Sequence, residues 1–146
     1  YTPCISTAMN DDFTQCMVTN SRMAARAITR RYDRSLRGRG INSTQLSLMA
    51  AIKQWPESTV SELAEKRGFD RTTLTRNLDR LEEMGLVASR HAPKGNGRIC
   101  TVTPRGLSLM DELLPVWRAA QSEMRQLLSE DGFDTSLRAL KRLAEV

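Results

Sequence analysis

TVSELAEKRG (residues 59–68), FDRTTLTRNLDRLEEMG (69–85) and LVASRHAPKGNGRICTVT (86–103) follow one another without a gap. The first two stretches each read as a short helix closed by glycine. Thr59 and Glu62 form a T-x-x-E capping box, which starts a helix near Val60, and Gly68 suits the left-handed position that ends it. Asp70 is placed as N-cap of the next helix, where a carboxylate also suits the helix dipole. Leu74, Leu78 and Leu81 then recur at i, i+4 and i+7 as one apolar stripe. At 100° per residue the opposite side carries Thr72, Arg76 and Asp79, flanked by Thr73, Thr75 and Arg80. After Gly85 the period becomes that of strands. Leu86 to His91 and Arg98 to Val102 are the arms of a hairpin, and the turn Pro93-Lys-Gly-Asn-Gly97 is rich in residues that tolerate positive φ. Helix, turn, helix and hairpin in this order read as a winged helix-turn-helix, a unit that places one helix in a DNA groove.

The outward face of the second helix favours that reading. Threonine is a poor helix former, and three threonines in four residues gain nothing from packing. Hydroxyls and arginine can donate to base edges and phosphates, and arginine can bridge O6 and N7 of guanine. At the hairpin tip, Lys94 and Arg98 flank a glycine-rich turn small enough to enter a minor groove.

Working outward, both ends of the chain read as long amphipathic helices. One is expected from about Asp11 to Arg37, capped by Asp11 or Asp12, with Phe13, Met17, Ala24, Ala27 and Ile28 as its stripe. Arg22, Arg26, Arg30 and Arg34 lie four apart on another face, which favours an anionic partner or nearby carboxylates. Arg37-Gly-Arg-Gly40 breaks this helix, and a second runs from about Ser43 to Gln54, stopped by Trp55-Pro56. On the far side, Thr103-Pro104 restarts a helix with Pro at N1. Its stripe runs from Leu107 to Leu128 across Pro115, which is expected to bend it. Gly132 is read as the break before a last helix, Phe133 to Val146, with Leu137, Leu140 and Leu143. Stripes of this length exceed the globular core they could cover, which implies a symmetric partner.

Bulk properties agree. A chain of 146 residues, 40% hydrophobic and 27% charged, fits one domain with its own core. The net charge is +5, which suits a polyanion. Its distribution says more, with seven arginines and one aspartate between Ser21 and Gly40. No apolar run is long enough to span a bilayer and no signal-peptide pattern is read. Cys4, Cys16 and Cys100 have unrelated spacings that define neither a disulfide framework nor a zinc site, so a cytoplasmic setting is expected. His91 is the only histidine, which argues against a histidine-based metal site or a Ser/His/Asp triad. Paired cleft carboxylates and a phosphate loop are also lacking, so no enzyme, metal or cofactor is expected.

The run from SELAE through DRTTLTRNLDRLEEMGLV to the TPRG after the hairpin resembles the MarR family of transcriptional regulators. The similarity extends from about Phe13 to the end. It implies one MarR-like domain, 1–146: a mainly α fold with a small β-hairpin wing, its DNA-binding head at 41–103. The N- and C-terminal helices, 11–40 and 104–146, would form a discontinuous dimerisation region. It also implies a homodimer on double-stranded DNA, reading a pseudo-palindromic operator, and repression relieved by a small-molecule effector or by oxidation. The family's recognition-helix contacts fall on Arg71, Thr72, Thr73, Thr75 and Arg76, with Arg80 beyond them. Where the family often carries D-x-R in the wing, this chain has Lys94-Gly95-Asn96, with Arg98 as a shifted substitute. Candidate lining for an effector cleft is Met17, Met23, Ile28, Tyr32, Met49, Trp55 and Trp117. The organic-hydroperoxide sensors of the family carry a reactive cysteine near the start of the first helix. Cys16 lies close to that place, with Tyr32 as one of the expected tyrosines, Arg22 in place of the other, and Cys4 as a resolving candidate. Arginines nearby would lower the Cys16 pKa. Oxidant sensing at Cys16 is therefore an alternative, and a helical interaction protein that binds no DNA is a second.

Overall fold

The computed structural model describes residues 12–145; Cys4 and Asp11 lie outside them. A 3-10 turn at Phe13–Gln15 precedes six helices and one hairpin. The helices are α1 (Met17–Ser35), α2 (Ser43–Gln54), α3 (Val60–Arg67), α4 (Arg71–Glu83), α5 (Pro104–Leu128) and α6 (Glu130–Ala144). The strands β1 (Val87–His91) and β2 (Arg98–Val102) lie between α4 and α5. They pair antiparallel with Val87 opposite Val102 and His91 opposite Arg98. Thr59 adds an isolated antiparallel bridge to Ile99, so the segment entering α3 lies against the wing.

The caps read from the sequence around the head are present. The Thr59 hydroxyl accepts the Glu62 N–H, and the Glu62 carboxylate accepts the Thr59 N–H at 2.7 Å. Gly68 ends α3 with φ 62°. The Asp70 carboxylate accepts the Thr73 N–H at 3.0 Å. These amides hold both carboxyls below their ordinary pKa, Glu62 chiefly through Thr59 and Asp70 chiefly through Thr73. An Asn42–Gln45 capping box, not foreseen, starts α2.

Leu48, Met49 and Ile52 of α2 meet Leu63 of α3, the Leu74, Leu78 and Leu81 stripe of α4, Val87 and Cys100 of the hairpin and Leu113 of α5 in one buried cluster. The start of α5 is pressed onto the base of the hairpin. A Cβ on Gly106 would collide with the Leu86 carbonyl and come within 2.7 Å of Val102 Cγ1. The glycine of the TPRG motif is therefore a packing requirement.

Two expectations at the chain ends are corrected. The first helix is not continuous from Asp11 to Arg37. The Asp12 carboxylate takes the Thr14 N–H at 3.0 Å and its hydroxyl at 2.6 Å, closing a separate turn. Cys16 is extended (φ −65°, ψ 123°) before α1 begins. The break between α5 and α6 falls at Ser129, at φ 61°, and not at Gly132. The Ser129 hydroxyl accepts the Gly132 N–H, so Gly132 lies in the first turn of α6. Arg125 secures the corner, pairing with Glu130 at 2.6 Å and lying 4.2 Å from the Phe133 ring centre. Helix α5 continues through Pro115.

The terminal helices leave their stripes uncovered within one chain. None of the residues of α1 is buried. Phe13 is 83% exposed, Met17 65%, Leu127 64% and Leu140 53%. No helix of the described residues is long and apolar enough to cross a membrane.

Candidate nucleic-acid interface

Helix α4 buries its leucines and turns the opposite face to solvent. Arg71, Thr72, Thr73, Thr75, Arg76 and Arg80 are all exposed. They are not equivalent. The Thr73 hydroxyl donates to the Asp70 cap at 3.1 Å, and Arg71 donates to the Ser61 hydroxyl at 2.8 Å. Arg80 pairs with Glu83 at 3.4 Å. Thr72, Thr75 and Arg76 have no hydrogen-bond or ion-pair partner among the described residues. Two hydroxyls and a guanidinium thus stand free on the first two turns of a rigid helix, the arrangement suited to base edges and phosphates.

The wing lies beside this helix. Lys94 and Asn96 are exposed at its tip, where Gly95 adopts φ 78°. Arg98 departs from its expected role as a groove-entering substitute. Its guanidinium turns inward to Asp79 and Glu82, each at 2.7 Å, and its Nε donates to the Ser89 hydroxyl at 2.9 Å. Partial burial opposes its charge, but its bonds to Asp79 and Glu82 and the nearby negative charge together outweigh that and leave its pKa above the ordinary value. Asp79 and Glu82 are three residues apart on one face of α4, so one guanidinium reaches both.

A cavity of about 670 Å³ opens between α1, α2 and α5. Ile28, Tyr32 and Trp117 line it as expected. Met17 and Met23, both exposed on α1, do not, and Met49 is fully buried in the core. Trp55 lies instead against Lys66 and Arg67, whose charges sit 5.5 and 5.2 Å from its ring centre. Sequence reasoning missed Thr29, Ser43, Ser47, Met110, Arg67 and Phe69 as lining. Arg67 and Phe69 bracket the turn that leads into Asp70, so part of the cavity wall is the entry to α4. Among the described residues, Arg67 is the only charged side chain in the lining. The Tyr32 hydroxyl donates to Gln121 there, and burial raises its pKa.

Cys16 is half-buried as the N-cap residue of α1. Its thiol pKa is lowered chiefly by the Thr19 backbone N–H, then by the Thr19 side chain, rather than by arginines. Tyr32, expected beside it, is engaged by Gln121. Cys100 is buried, 3.6 Å from the Ser89 hydroxyl, and desolvation raises its pKa.

A capped helix-turn-helix with a free polar face, a paired wing and long uncovered terminal helices defines a winged-helix regulator. Residues 41–99 match the model of the MarR family. The chain is 34% identical to the M. tuberculosis transcriptional regulator MosR, solved in complex with DNA, covering 90% of this chain and 95% of that one with a TM-score of 0.79. It is 27% identical over 112 residues to the HTH-type transcriptional repressor MdtR of Bacillus subtilis (strain 168), covering 76% of this chain and 72% of MdtR. In fold alone it is similar to the PcaV regulator of Streptomyces coelicolor, solved with its natural ligand, at 19% identity, TM-score 0.80 and coverage of 92% and 96%. The chain belongs to the MarR family.

Proposed function

We propose that this protein is a sequence-specific, DNA-binding transcriptional regulator that works as a homodimer and acts by binding rather than by catalysis. The observation that carries the reading is the free face of α4, Thr72, Thr75 and Arg76, beside a wing that presents Lys94 and Asn96. Arg71, Thr73 and Arg80 flank that face and contact the backbone more than the bases, since each already has a protein partner. The head, 41–103, is the reading unit. The segments 11–40 and 104–146 are the dimerisation region, which covers the exposed stripes of α1, α5 and α6. Two heads related by a two-fold axis read a pseudo-palindromic operator. A cytoplasmic setting follows from that partner.

Repression relieved by a small molecule is the preferred mode. The cavity has a mostly apolar lining with one cation, so its occupant is a small apolar molecule with an anionic group. Because Arg67 and Phe69 belong both to the cavity wall and to the turn before Asp70, an occupant can bias the orientation of α4. Differential affinity of a few kcal/mol for two head spacings is enough. The MosR–DNA relative supports the DNA partner. Selection of binding sites from random duplex DNA at fixed salt tests the function: a two-fold-related consensus is expected, and recovery of no consensus contradicts it.

A further inference from the structure

Arg98 stands where the wing's returning strand leaves its tip. Its guanidinium bonds to Asp79 Oδ1 and Glu82 Oε2, each at 2.7 Å, while its Nε bonds to Ser89 Oγ on the opposite strand at 2.9 Å. One side chain therefore connects both wing strands to the helix whose earlier turns carry Thr72, Thr75 and Arg76. Two more ties hold the wing on its other side. Arg90 donates to Glu57 at 2.6 Å, and Thr59 bridges to Ile99. A Cβ on Gly97 would lie 2.7 Å from Thr59 Cγ2, so that approach depends on glycine. At the tip, Lys94 has no hydrogen-bond or ion-pair partner among the described residues.

We propose that Arg98 is a positioning residue for DNA recognition. By clamping the wing onto Asp79 and Glu82 it fixes the wing tip relative to the recognition helix, and it leaves Lys94 as the cation the wing offers to the minor groove. The physical basis is the shared network: a guanidinium holding two carboxylates and a hydroxyl is geometrically restrictive in a way one surface ion pair is not. The alternative is that Arg98 swings out to a phosphate when DNA arrives.

The proposal rests on the DNA reading, and the two can be tested apart. Asp79→Asn with Glu82→Gln keeps side-chain shape and removes two negative charges near the DNA face. Electrostatics alone then predicts tighter operator binding. The clamp predicts the opposite, binding weaker by roughly 2- to 30-fold, the range of couplings carried through packed networks. Arg98→Ala should weaken binding with the salt dependence nearly unchanged, whereas Lys94→Ala should reduce the slope of log K against log salt by about one. Hydrogen exchange in the free protein reads the clamp without DNA. Amides of residues 90–97 should exchange faster in Arg98→Ala and in the double variant, with the caps of α3 and α4 unchanged. Wild-type protein that selects no DNA sequence would sink the DNA reading, and the exchange data would still decide whether the clamp exists. Unchanged or tighter binding by the double variant overturns the proposal, whatever the exchange shows.

Discussion

Two thiols in this chain sit in opposite environments. Cys16 is at the open N-terminus of α1, where amide dipoles favour the thiolate. Cys100 is enclosed, 1% exposed, where desolvation disfavours it. At neutral pH iodoacetamide should modify Cys16 well before Cys100, as low-pKa, partly exposed thiols react ahead of buried ones. Mass spectrometry of the alkylated peptides checks this, and comparable rates would contradict the assigned environments. Cys16→Ser that leaves any oxidant response of DNA binding intact would remove the redox alternative. At this scale much was legible in the sequence. Helical period alone puts Thr72, Thr75 and Arg76 on one side, because a helix fixes side-chain direction by residue spacing. The fate of Arg98 was not legible, since a strand residue's partner across nineteen positions of sequence depends on how the hairpin folds onto α4. Trp55 and Met49 were misplaced for a similar reason. Apolar character says that a residue is covered, not which cavity or core covers it.

At the scale of elements, the junctions decide the architecture. Thr59, Asp70 and Thr103 each accept an amide of the helix they start, and all three caps were readable as short local patterns. The corner at Ser129 was harder. Gly132 is the conventional breaker, yet the serine takes the positive φ and also supplies the cap. Gly106 provides the sharper test. Helix propensity alone predicts that Gly106→Ala raises stability. The collision with the Leu86 carbonyl predicts a loss of about 1–3 kcal/mol by overpacking, and a melting temperature lower by roughly 3–12 °C for a chain of this size. Thermal unfolding by circular dichroism decides between them; a rise would mean that α5 does not seat on the hairpin as described.

At the scale of the molecule, the compact head and the uncovered terminal helices imply different partners. The head presents free polar groups to DNA. The stripes of α1, α5 and α6 expose large apolar side chains that a second copy can cover. Leu137→Glu with Leu140→Glu on α6 should weaken self-association by about tenfold or more, since buried unpaired carboxylates are costly. Sedimentation equilibrium measures it, and an unchanged dimer would place the interface elsewhere. The long stripes were legible from their period, and Ile28, Tyr32 and Trp117 of the cavity with them; the rest of its lining was not, because it is formed by residues from α1, α2, α5 and the α3–α4 turn together.

The central claim is that the exposed face of α4 reads bases. The most direct measurement is the affinity of the wild-type protein and Arg76→Ala for a selected operator and for unrelated duplex, each across a range of salt. If Arg76 reads a guanine, the variant should lose about 1–3 kcal/mol on the operator while retaining most of its non-specific binding. Equal affinity of both proteins for the operator, or wild-type binding with no preference for it, would contradict the account.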